Sequence, residues 1–125
     1  MGVVERFQGL ADATRLRMIN LLNEGELCGC DIQYVLNLSQ PNVSRHLTYL
    51  KRSALVTDSR RGNRVFYRLN GIDDAEHKAL FAYLREAFGS EKVFAQDKRR
   101  LQQAVRKGAC SLSERGASGS RRQRT

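Results

Sequence analysis

No run of residues in this 125-residue sequence approaches the roughly 18 consecutive apolar positions that a membrane span requires. Its opening has no signal-peptide pattern, and Met-Gly-Val-Val-Glu-Arg lacks the Ser or Thr of a myristoylation signal. These absences predict a soluble, cytoplasmic protein with no membrane partner. Histidine is scarce: His46 and His77 are the only two, and neither lies in a recognisable catalytic motif, which argues against a cysteine-nucleophile enzyme. Cysteine is limited to Cys28, Cys30 and Cys110. In a reducing compartment three cysteines point away from a disulfide framework and towards metal or redox chemistry. Acidic side chains are outnumbered, 13 against 22 Lys and Arg, for a net charge of +9.

That positive charge is unevenly placed. Residues 1–38 are net −2 and residues 71–97 net −3, whereas residues 39–70 are net +6 and residues 98–125 net +8. One basic block therefore lies inside the folded part and the other at the C-terminus, which points to a polyanionic partner. The length suits one domain of roughly 100 residues plus a tail, and so small a core favours sharing with a second copy.

Val3, Val4, Phe7 and Leu10 recur at helical spacing, and Asp12 is placed to cap a second helix with Leu16, Ile19 and Leu22 on its buried stripe. A third short helix is expected from about Cys28 or Asp31 to Leu36, followed by a turn at Asn37-Leu38. Ser39 is positioned to N-cap the next helix, with Pro41 in its first turn and Val43, Leu47 and Leu50 on its inner face. The period then changes: Leu55-Val56-Thr57 and Val65 to Leu69 read as strands joined by a turn at Arg60-Arg61-Gly62-Asn63. Helices are expected again over about 73–88 and 91–107. The Ser-, Gly- and Arg-rich residues 111–125 read as a disordered basic tail.

The order helix, short turn, helix, basic hairpin is a DNA-reading arrangement. The second helix of such a unit enters the major groove with its N-terminal residues at base edges. Here those are Gln40, Asn42, Ser44 and Arg45, the side-chain types that pair bidentately with adenine or guanine or bond to either. Arg60, Arg61 and Arg64 on the hairpin suit phosphates or the minor groove.

The stretch ELCGCDIQYVLNLSQPNVSRHLTYLKRSALVTDSRRGNRVFYRL, with FQGLADATRLRMINLL ahead of it, resembles the ArsR/SmtB family of bacterial winged-helix repressors over about residues 3–88. The resemblance implies a mainly α fold with a β-hairpin wing, a winged helix-turn-helix that is dimeric through its terminal helices. It also implies binding to a double-stranded, inverted-repeat operator and release when an inducer binds. The expected organisation is a DNA-binding and dimerisation domain over 1–90, a C-terminal helix with a candidate sensing cysteine over 91–110, and the tail.

Cys28 and Cys30 lie just ahead of the DNA-reading unit. Two buried structural cysteines are the bland reading. On a regular helix positions i and i+2 lie about 200° apart, so joint ligation needs a non-helical start, which Gly29 makes cheap. Soft thiolates there would select soft ions. ELCGCD is similar to the ELCVCD box of the arsenic- and antimony-responsive members, whose paired cysteines bind the metalloid, so As(III) or Sb(III) is the implied inducer, with no organic cofactor. A third Cys a few residues on is common in those members, but Gln33 and Tyr34 stand there. Cys110 or a small cellular thiol is the candidate third ligand. Cadmium- and lead-sensing relatives have further N-terminal cysteines, which residues 1–27 lack, and zinc-sensing relatives have Asp and His pairs on the 73–88 helix, where His77 is alone. The rival readings are a thiol-based redox-responsive repressor of the same fold and a general nucleic-acid binder.

Overall fold

The computed structural model describes residues 2–71 and 73–107, so Cys110 and the expected tail at 111–125 lie outside the described residues. Six helices and a small sheet follow in the order α1 Val3–Leu10, α2 Ala13–Leu22, β1 Leu27–Cys28, α3 Gly29–Leu36, α4 Gln40–Arg52, β2 Val56–Arg61, β3 Arg64–Leu69, α5 Ala75–Phe88 and α6 Lys92–Lys107. The two caps expected from the sequence, Asp12 and Ser39, are present. Asp12 accepts the Arg15 N–H at 3.0 Å to start α2, and Ser39 accepts the Asn42 N–H at 3.3 Å to start α4. Asn37 ends α3 in the left-handed region (φ 57°), a conformation Asn tolerates, and so turns the chain towards α4.

The sheet differs from the sequence expectation in two places. Leu27 and Cys28 form a third strand, paired antiparallel with Tyr67 and Phe66, which gives the order β1-β3-β2. The hairpin ladder also runs further out: Arg60 and Arg61 belong to β2, and Arg64 opens β3, paired with Arg61. The turn is therefore only Gly62-Asn63. Gly62 takes a φ of 61° there, which a tight hairpin matching the strand twist requires and which glycine adopts without strain.

The core gathers one face from every helix. Ile19 and Leu22 of α2, Ile32 and Val35 of α3, and Val43, Leu47 and Leu50 of α4 are all buried. Full burial of each such side chain is worth about 1.5–3 kcal/mol, so α4 is held firmly by its inner face while its outer face stays in solvent. The apolar stripe of α6 is buried within its own chain through Phe94, Leu101 and Ala104. Arg17 locks it to α2 with two bonds to Asp97 (2.7 and 3.0 Å), and Asn20 donates to the Phe94 carbonyl at 3.0 Å. By contrast α1 and α5 leave apolar surface open. Val3, Val4, Phe7 and Tyr83 are 56–66% exposed, and Phe7 and Tyr83 line, with Leu10, Leu16 and Leu80, a groove of about 660 Å³.

Candidate nucleic-acid interface and cysteine site

At the start of α4, Gln40, Ser44 and Arg45 are exposed and Asn42 is half-buried. Asn42 Oδ1 accepts from Arg45 Nη2 at 2.5 Å, so these two side chains form one preset polar unit. Arg15 fastens the helix from below. It donates to the carbonyls of Gly9 (2.7 Å) and Gln8 (3.3 Å), stacks 4.0 Å from the Tyr49 ring centre, and lies 3.3 Å from His46 Nδ1. Burial pushes the His46 pKa down against the pull of Asp12, and the charges of Arg15 and Arg45 lower it further. A neutral ring can accept the Arg15 N–H at Nδ1, so His46 packs and hydrogen-bonds beneath α4. Burial would raise the Asp12 pKa, but the Arg15 N–H and guanidinium hold this capping carboxyl below the ordinary range.

On the hairpin, Arg60 and Arg61 are exposed and Arg64 is half-buried. Arg61 has work inside the chain: it forms an ion pair with Glu26 and stacks on Phe66, 3.7 Å from the ring centre. Lys51 pairs with Asp58 at 2.9 Å. The base of the hairpin is fixed at Ala54, whose φ is 63° and whose carbonyl meets Asn70 Nδ2 at 3.0 Å and His77 Nε2 at 3.1 Å. The other ring nitrogen of His77 lies 2.8 Å from Asp74, so both nitrogens are engaged in joining α5 to the wing.

Cys28 is the N-cap of α3, in extended backbone (φ −82°, ψ 160°), and its sulfur accepts the Cys30 N–H at 3.2 Å. The Asp31 carboxylate reaches back to accept the Cys28 N–H at 2.8 Å, closing a reciprocal cap in which the Cys28 sulfur stands where a Ser or Thr oxygen commonly does. An extended residue followed by a helical turn places both sulfurs on one side, the non-helical start that joint ligation needs. The structure joins Cys28 and Cys30 in a disulfide, where the favoured sequence reading is a thiolate pair and only the redox rival joins them. The reason is local: the cap geometry brings the two Cα atoms to 5.3 Å. Such a link joins residues two apart and staples no distant segments, so it is not a framework. Gly29 contributes less than expected. It has no positive φ, and a Cβ there would meet only Tyr67 at an ordinary 3.7 Å.

The ligand atoms of Cys28, Cys30 and Asp31 lie within 4.8 Å of one another. Cys28 and Asp31 are buried, and Cys30 is partly open to solvent. Two clefts meet at Cys30. One, of about 220 Å³, is walled by Cys28 and Cys30, by Gln40 and Ser44 of α4, and by Arg64 of the wing. The other, of about 610 Å³, lies between α3 and α6. Sequence reasoning singled out the cysteines and the outer face of α4 but missed Asp31, Arg15 and Glu26. The Cys-x-x-Asp spacing, that of a reciprocal cap, was the available signal for Asp31. Arg15 and Glu26 act across 31 to 35 residues of sequence and leave no local pattern.

Residues 12–58 match the family described as "Bacterial regulatory protein, arsR family". Over 65 residues the chain is 49% identical to arsenic resistance transcriptional regulator ArsR1 of Pseudomonas putida, covering 51% of each protein. Over 68 residues it is 48% identical to the arsenical resistance operon repressor of Escherichia coli, covering 54% of this chain and 58% of that one. The chain thus spans little more than half the length of these relatives. In three dimensions it superposes with a TM-score of 0.60 on a homodimeric winged helix-turn-helix DNA-binding domain from Mycobacterium bovis, described as a possible ArsR-family transcriptional regulator. That match is 32% identical and covers 68% of this chain and 76% of the other. The fold is a winged helix-turn-helix, with α3 and α4 as its helical pair and β2 and β3 as its wing. The chain belongs to the arsR family of bacterial regulatory proteins, a family of transcriptional regulators and not of enzymes.

Proposed function

We propose that this chain is a cytoplasmic transcriptional repressor that binds operator DNA as a homodimer and lets go when As(III) or Sb(III) binds Cys28 and Cys30. Gln40, Asn42, Ser44 and Arg45 read bases, while Arg60, Arg61 and Arg64 contact the backbone or minor groove. The open apolar face of α1 and α5 supports a second copy as its occupant. The names of the Pseudomonas and Escherichia relatives favour an arsenical as the inducer.

The observation that carries the reading is the 220 Å³ cleft, in which both cysteines share walls with the reading helix and the wing. Anything bound at the sulfurs changes the wall against which Gln40, Ser44 and Arg64 stand. Release is then a shift of population between dimers that fit DNA and dimers that do not. The metalloid needs the pair reduced to two thiolates, the state a reducing cytoplasm favours. A third thiolate comes from Cys110 or a small thiol. Cys110 lies outside the described residues, three positions after Lys107 in sequence.

The disulfide favours a second reading, in which oxidation of the pair is itself the signal. Fluorescence anisotropy of promoter DNA bound to reduced protein separates the two. Arsenite should release the DNA, and zinc should do so poorly because its tetrahedral site needs a fourth donor. Release by peroxide, with arsenite inert, would replace the metalloid reading by the redox one.

A further inference from the structure

The two sulfurs of the pair are not equivalent. Cys28 is 1% exposed and its sulfur accepts the Cys30 N–H, whereas Cys30 is partly open and lines the cleft between α3 and α6. That cleft, about 610 Å³, lies in the roughly 300–1,000 Å³ range of small-molecule sites. Its walls carry hydrogen-bonding and cationic groups: Gln33 and Tyr34 from α3, Arg100 and Gln103 from α6. A guanidinium is the side chain best shaped to hold a carboxylate.

We propose that this cleft docks a small carboxylate-bearing thiol, which opens the Cys28–Cys30 disulfide by attack on Cys30. The incoming thiolate forms a new S–S bond to Cys30 Sγ. The Cys28–Cys30 bond breaks, and its electron pair leaves on Cys28 Sγ, beside the Cys30 N–H. A second thiolate attacks the small molecule's sulfur in this mixed disulfide and frees the Cys30 thiolate. Two small thiols are thereby oxidised to one disulfide, and the protein pair is reduced by two electrons. Access decides which protein sulfur is attacked, because exchange needs the nucleophile in line with an exposed sulfur. The inference deepens the proposed function, since it supplies the reduced pair that a metalloid needs, yet its chemistry is read without arsenic or DNA. Its failure therefore leaves the metalloid reading standing.

The test is intact-mass spectrometry in a Cys110→Ser background, with oxidised glutathione and the uncharged bis(2-hydroxyethyl) disulfide as probes. With Cys28→Ser added, the remaining Cys30 should take one glutathione adduct. With Cys30→Ser added instead, the buried Cys28 should react about tenfold or more slowly. Arg100→Glu in the Cys28→Ser protein should slow the glutathione adduct by roughly three- to tenfold and leave the uncharged probe unaffected. A second measurement keeps both cysteines: reduced glutathione should open the disulfide of the Cys110→Ser protein faster than that of the same protein bearing Arg100→Glu. Equal labelling of Cys28 and Cys30, or an Arg100→Glu effect that is absent or the same for both probes, would overturn the proposal.

Discussion

Arg45 and Asn42 are joined at 2.5 Å before any base is present, and that contact sets what each can do. A guanidinium already steered by a neighbouring amide loses less freedom on meeting a guanine edge than a free one, which suits it to reading sequence. Arg45→Ala is expected to weaken binding to promoter DNA by about 1–3 kcal/mol and to weaken binding to random DNA much less, in parallel anisotropy titrations. An equal loss on both would make Arg45 a phosphate contact. Arg61 stands differently. Its pairing with Glu26 and stacking on Phe66 tie it to the body of the wing, so part of any Arg61→Ala effect belongs to the hairpin and not to DNA.

Among the elements, α4 was the most legible from sequence. Ser39 and Pro41 mark its start, and Val43, Leu47 and Leu50 at spacings of four and three mark its buried face, all of which the structure repeats. The third strand was not legible, because two residues carry no period, and Leu27 and Cys28 become a strand only through their pairing with Tyr67 and Phe66. The hairpin turn was read two residues too wide for a related reason: Arg60 and Arg61 look like turn residues by polarity, but strand pairing accepts any side chain that points to solvent. The cysteine pair was legible as a motif, and its need for a non-helical start followed from helix geometry. Its linkage entered only through the redox rival, because it depends on the extended dihedrals of one capping residue. For the wing as an element, replacing Arg60 and Arg64 with Ala together should weaken promoter and random DNA alike. The salt dependence should become shallower by up to about two units of log–log slope, as the loss of two phosphate contacts requires. Unchanged slope would remove the wing from the interface.

At the scale of the whole molecule, α6 buries its apolar stripe against α2 and α3, while α1 and α5 keep Val3, Val4, Phe7 and Tyr83 in solvent. Two copies meeting on that face would hold two reading helices in fixed relation, as an inverted-repeat operator demands. Phe7→Asp with Tyr83→Asp should shift sedimentation from dimer to monomer and lower promoter affinity by about tenfold or more, since two half-sites would no longer be bound together. A dimer that survives both changes would place the interface elsewhere. In the proposed function the cysteine pair would link chemistry to DNA, because it caps α3 and walls the cleft that α4 and the wing also line. The most direct measurement of that claim is release of labelled promoter DNA over an arsenite titration, comparing the reduced wild type with the Cys28→Ser, Cys30→Ser double variant. The account predicts that both bind the DNA alike and that only the wild type lets go. A double variant that releases DNA at the wild-type arsenite concentration would contradict it.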